Sequence, residues 1–148
     1  MTAATACARH RWIDNPAEDR KECRECGRPK LNETLFREQI VGSKKHGKEV
    51  RGLADQLGWE HVGWRPAMTK VGWRTPGTGT LAKGWPDLVL VHPRRRRLLF
   101  VELKGDDGKL SDDQVRVLHI LRALEGDRLE VHVWGPDDIG LAAEVLTR

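Results

Sequence analysis

The sequence predicts an α/β protein, a mixed central sheet flanked by helices, with a small N-terminal metal-binding segment. Three observations carry this. "DLVLVH", "LLFVEL" and "LEVHVW" are apolar runs of strand length bounded by turn residues. Runs with apolar residues at helical spacing stand before, between and after them. All three cysteines fall within the first 26 of 148 residues, and an odd, clustered set fits metal ligation better than a disulfide framework.

Composition divides the chain into a Cys- and charge-rich head, residues 1–30, and a body, residues 31–148. A helical stretch is expected from Asn32 to Gly58. In "NETLFREQIV", Asn32 suits an N-cap, and Leu35, Phe36 and Ile40 follow near helical spacing. Gly42 and Gly47 interrupt it, and a second run puts Val50, Leu53, Ala54 and Leu57 on one face before Gly58 stops it. "WEHVGW" is a short strand candidate. The long segment "RPAMTKVGWRTPGTGTLAK" is rich in Pro, Gly and basic residues. Loops of this length are functional or disordered, and Arg65, Lys70, Arg74 and Lys83 are its candidate nucleic-acid contacts. Ser111 to Leu124 reads as a helix, and "PDDIGLAAEVLT" opens with Pro and two acids, as helices do. The resulting order is α-β-β-β-α-β-α.

The formal charge of +4, from 26 Lys and Arg against 22 acids, favours a polyanionic partner. The N-terminus lacks an apolar core of signal-peptide length, and no run approaches the roughly 18 apolar residues a membrane helix needs. The expectation is a soluble, cytoplasmic protein.

Acidic groups are rarely buried unless paired or bound to metal, yet Asp87, Glu102 and Lys104 stand where two apolar strands end. On a strand, residues i and i+2 share a face, so Glu102 and Lys104 project together while Leu103 faces the core. A hairpin of Asp87–His92 with Leu98–Lys104 would bring Asp87 beside Glu102. Two carboxylates so close repel unless a cation separates them. Mg²⁺ or another hard divalent cation suits such oxygen ligands and substrate phosphate. Its water becomes a nucleophile near neutral pH, with Lys104 placed to orient it or neutralise phosphate charge. The chemistry indicated is phosphodiester hydrolysis. The competing reading is a surface ion pair at a strand end, with Asp87 starting a turn after Pro86.

"GWPDLVLV", "LLFVELKGDDGKLSDDQ" and "VHVWGPDD" resemble the VRR-NUC branch of the PD-(D/E)XK, restriction-endonuclease-like nuclease superfamily, especially its small stand-alone phage and bacterial forms. The resemblance runs roughly from Leu53 to Leu146, and "RPAMTKVGWRTP" resembles a loop of some members. It implies a metal-dependent DNA endonuclease selective for branched, flapped or Holliday-junction-like DNA, located in the bacterial host cytoplasm if phage-encoded. A homodimer follows from it for forms that cut both strands. It makes Asp87, Glu102 and the Leu103 backbone carbonyl ligands of Mg²⁺ or Mn²⁺, Lys104 the catalytic lysine and Gln114 the helix glutamine. Trp85 departs from the apolar residue, such as Phe, expected before the proline, which affects packing. The first-helix acid is nominated as Glu33 by "ETLFREQI", with Glu38 and Glu49 as alternatives. Gln114 has a second reading: Ser111-Asp-Asp-Gln114 fits a capping box. Two other functions stand beside this one, a non-catalytic nucleic-acid-binding module and a sequence-specific restriction-type nuclease.

In the head, Cys7 and His10 are three apart, as are Cys23 and Cys26, with twelve residues between the pairs. Cys-x2-His with Cys-x2-Cys is a usual closed ligand set for structural Zn²⁺. His46 and His61 are the substitutes for His10. Too short for its own core, such a head would fold on its metal. Arg94 to Arg97 form a basic turn, read either as a solvated hairpin or as a phosphate contact.

Overall fold

The computed structural model describes Cys7 and residues 9–65, 67–74 and 77–148, the side chains of Trp73 and Arg74 excepted. Its central sheet has four strands: β5 (Glu60–Gly63), β8 (Leu88–His92), β9 (Arg97–Leu103) and β10 (Leu129–Trp134). Their order is β10-β9-β8-β5. β10 lies parallel to β9, while β9 with β8 and β8 with β5 are antiparallel, so the sheet is mixed as expected.

Both faces are covered. Leu99, Val101 and Leu103 alternate along β9 and pack with Phe36, Ile40 and Leu146, from α1 (Glu33–Val41) and α4 (Ile139–Thr147). On the opposite face Val117, Leu118 and Leu121 of α3 (Asp112–Arg122) cover Phe100, Val131 and Val133. Strand periodicity therefore sends Leu103 into the first core and Glu102 toward the second.

Among the described residues there are three smaller hairpins: β1 (Trp12–Asn15) with β2 (Arg20–Cys23), β3 (Ser43–Lys45) with β4 (Lys48–Val50), and β6 (Ala67–Thr69) with β7 (Gly72–Arg74). The β3–β4 hairpin corrects the expected second helical run. His46 and Gly47 take positive φ values of 51° and 75°, which close a tight turn. Val50 ends a strand, exposed, and only Leu53–Gln56 is helical, a single turn labelled α2. The backbones at the ends of the hairpin cross so closely that a Cβ on Gly52 would lie 2.2 Å from the Gly42 nitrogen. Part of the long basic segment forms the β6–β7 hairpin.

The basic turn is also reassigned in part. Arg95 donates to the carbonyls of Leu146, Thr147 and Arg148, and Arg97 to those of Val145 and Arg148. These carbonyls lack helical partners and carry the negative end of the helix dipole, so cations cap them well. Arg97 also pairs with Glu130. Arg94 and Arg96 remain exposed. Among the described residues, no helix is long and apolar enough to cross a membrane.

Candidate active site and metal centre

Two glycines bring the elements of the first site together. A Cβ on Gly84 would lie 2.4 Å from the Asp113 carbonyl oxygen, so only glycine lets the approach to Asp87 pass the start of α3. A Cβ on Gly105 would lie 2.7 Å from the Glu33 nitrogen, so the chain leaving Lys104 presses on the start of α1. β8 pairs with β9 as Leu88↔Val101, and one further step of that register sets Asp87 opposite Glu102.

The side chains then interlock. Asp87 Oδ2 accepts from the Leu103 amide at 2.8 Å. Lys104 Nζ lies 2.6 Å from Glu102 Oε1 and donates to Gln114 Oε1 at 3.1 Å. Gln114 Nε2 donates to Glu102 Oε1, and its own Oε1 also accepts from the Ser111 amide at 2.9 Å. The capping box read from Ser111 and Gln114 therefore forms, and it aims the Gln114 amide at the Glu102–Lys104 pair. Glu102 is fully buried, and its Oε2 has no hydrogen-bond partner.

Burial, then the charge of Asp87, pushes the Glu102 carboxyl up to about 7, with Lys104 pulling against them. Burial also raises Asp87, opposed by the Leu103 amide, Lys104 and Arg37. Glu33 is raised by burial and then by Asp87, which places it electrostatically in the same group. The alternatives lie elsewhere: Glu38 pairs with Lys45 at 2.8 Å, and Glu49 is exposed on β4. A buried carboxylate with an orphan oxygen, facing a second carboxylate, is a donor set of the kind that holds a hard divalent cation.

Arg37 escaped the sequence reading. It is buried, and its guanidinium donates to the carbonyls of Trp64 and Asp87 at 3.2 and 3.4 Å, fixing the backbone that carries Asp87. Burial and then the charge of Arg65 lower its pKa. The available signal was its place four residues after Glu33, next to the inward Phe36. Trp85 packs edge-on against Phe100 at 5.4 Å, confirming a packing role. Among the candidate nucleic-acid contacts, Arg65 and Lys70 are exposed and Lys83 pairs with Asp113 at 2.8 Å. The Arg74 side chain lies outside the described residues. A groove of about 440 Å³, lined by Arg20, Lys21 and Lys30 of the head, reaches Glu33 and Gly105–Gly108.

The second site is the head. Ligand atoms of Cys7, His10, Cys23 and Cys26 all lie within 4.8 Å of one another, and no other such group of three or more occurs among the described residues. Cys7 Sγ to Cys23 Sγ is 3.8 Å and Cys26 Sγ to His10 Nδ1 is 3.6 Å. Tetrahedral Zn²⁺ with bonds of about 2.3 Å to sulfur and about 2.0 Å to nitrogen requires edges of about 3.8 and 3.5 Å, so the donors fit the ion. Burial disfavours the Cys23 thiolate, but hydrogen bonds from the backbone at Cys26 and from His10 outweigh it and bring the thiol to about 6. Burial and then Cys23 push Cys7 up to about 11. His46 is exposed and His61 pairs with Asp55, so neither substitutes for His10.

Residues 72–134 match the family model of the VRR-NUC domain. This stretch, under half of the chain, is similar to the VRR-NUC domain. That domain is a nuclease domain of the restriction-endonuclease-like superfamily, and it implies a nuclease-type function with DNA as substrate. The matched stretch includes Asp87, Glu102, Lys104 and Gln114 and excludes Glu33 and the head. Comparison with curated proteins and with solved structures returned no match.

Proposed function

We propose that the chain is a divalent-metal-dependent DNA endonuclease, selective for branched or flapped DNA, in which a VRR-NUC body at 31–148 carries a zinc-stabilised head at 1–30. The observation that carries this reading is the buried Glu102 Oε2, left without a hydrogen-bond partner while Glu102 Oε1 is held by Lys104 and Gln114. Asp87, Glu102 and the Leu103 carbonyl would hold Mg²⁺ or Mn²⁺. A divalent cation bound there supplies an activated water and neutralises phosphate charge.

The chain's own residues do the rest. Leu103 and Arg37 fix Asp87 from its side chain and its backbone. Gln114 holds Lys104 and Glu102 in one geometry, so the ammonium is positioned before substrate arrives. Lys104 then stabilises negative charge on the attacked phosphate. Glu33 completes the acidic rim. Arg65 and Lys70, with Arg20, Lys21 and Lys30 of the groove, offer phosphate contacts, which bind without reading sequence.

Incubation with labelled linear, flapped and four-way DNA, with Mg²⁺, Mn²⁺ or chelator, tests this. Metal-dependent cutting of the branched forms is expected, whereas binding without cutting under every metal would indicate a non-catalytic module. Lys104→Ala should lower the single-turnover rate by on the order of 10² to 10⁴ while leaving the fold intact. A variant that loses thermal stability but cuts at the wild-type rate would make Lys104 a structural ion-pair partner.

A further inference from the structure

The head does not hang free. β9 and β10 run parallel with Leu103 opposite Trp134, so the segments leaving their C-terminal ends emerge side by side. Each segment carries an acid that reaches the head. Asp106 accepts two hydrogen bonds from the Arg28 guanidinium, at 2.6 and 3.2 Å, and one from the Leu31 amide at 2.7 Å. Asp137 lies against His10, with Nε2 2.9 and 3.1 Å from its two carboxylate oxygens.

Asp137 has a local alternative, since an acid at the start of a helix normally serves the exposed amides there. In this chain Asp138 does that work, its Oδ2 accepting from the Gly135 amide at 2.8 Å. Asp137 instead spans 127 residues of sequence to reach His10. Its other cationic neighbour, Arg28, places Nε at 3.2 Å without a hydrogen bond. The His10 ring turns its opposite nitrogen, Nδ1, to Cys26 Sγ at 3.6 Å. A carboxylate on one imidazole nitrogen with thiols on the other is the arrangement by which metal-binding histidines are held in the right tautomer and orientation.

We propose that Asp137 of the nuclease body is the positioning residue of the head's metal site: it fixes His10 with Nε2 protonated and Nδ1 free to bind Zn²⁺. This rests on the reading of the Cys7, His10, Cys23 and Cys26 cluster as a zinc site. The site is then shared between head and body, and zinc loading holds the head against the ends of β9 and β10. Coupling of this kind is reciprocal, so zinc stabilises the Gly135–Ile139 segment as much as that segment stabilises zinc.

Zinc affinity of the full-length chain, measured by chelator competition under reducing conditions, tests this. Asp137→Asn and Asp137→Ala should each weaken zinc by on the order of 10- to 100-fold. Asp137 is exposed, with 62% of its side-chain surface accessible, so neither change should disturb the fold. His10→Cys supplies a fourth thiolate that has no use for Asp137, so Asp137→Asn in that background should leave zinc affinity unchanged. Zinc should also slow amide exchange at Gly135–Ile139 in the wild type and not in Asp137→Asn. Wild-type protein that takes up no zinc overturns the zinc reading and this proposal with it. Wild type that binds zinc while both Asp137 variants match it overturns the proposal alone. Equal weakening by Asp137→Asn with His10 or Cys at position 10 also overturns it, because the effect would then not pass through the imidazole.

Discussion

Glu102→Gln protein should bind DNA and cut none of it. The substitution keeps the shape of the side chain and its contacts with Lys104 and Gln114 but removes the charge that would attract a divalent cation. Loss of turnover by at least the 10² to 10⁴ that single catalytic groups contribute is expected, to order of magnitude. Binding to the exposed basic surface should persist, because phosphate contacts lie elsewhere. The same variant exposes a pH dependence. Glu102 stands at about 7 in the folded chain against an ordinary 4.5. A folded-state pKa raised in this way means that the native protein takes up the proton more readily than the unfolded chain. The contribution is therefore fully present below pH 4.5 and is lost as pH rises through 7. Asp87 and Glu33 shift in the same direction. Metal-free wild type should accordingly lose thermal stability across that window, Glu102→Gln should lose less, and Mg²⁺ should restore the wild type at the upper end. Wild-type turnover in Glu102→Gln, or identical pH profiles for the two proteins without metal, would remove Glu102 from the site.

The second large effect is expected from Cys23→Ser. Cys23 is buried and ends β2, so the change removes a proposed zinc ligand and the most buried described side chain of the head together. Binding energy of a structural zinc is largely folding energy, so residues up to about Lys30 should melt. The body should keep its own cooperative transition, because both apolar clusters are built from residues beyond 30. Cleavage should nevertheless fall along with DNA affinity. Melting the head withdraws Arg28 from Asp106, two residues past Lys104, and that loop is the one packed on the start of α1 beside Glu33. Elemental analysis, thermal unfolding and single-turnover rates at saturating DNA separate the two effects. A zinc-free variant that cuts at the wild-type rate once DNA is saturating would show that the head serves binding alone.

Much of the candidate site's geometry was legible in the sequence because it is encoded over short range. A two-residue period puts Glu102 and Lys104 on one face and Leu103 on the other, and a Pro- and Arg-rich turn between two apolar runs folds Asp87 back toward Glu102. Ser111 and Gln114 announce the start of α3 by their spacing, and Cys-x2-His with Cys-x2-Cys announces the cluster of Cys7, His10, Cys23 and Cys26. What the sequence left open depends on partners far apart in the chain. Glu33, Glu38 and Glu49 look alike as helix or surface acids, and only the docking of α1 on the sheet brings Glu33 into the field of Asp87. Arg95 and Arg97 read as free charge until the C-terminal carbonyls of α4 are laid beside them. The contacts of Arg28 with Asp106 and of His10 with Asp137 span 78 and 127 residues. They exist because two parallel strands end side by side, an arrangement set by the summed burial of both sheet faces rather than by any local pattern.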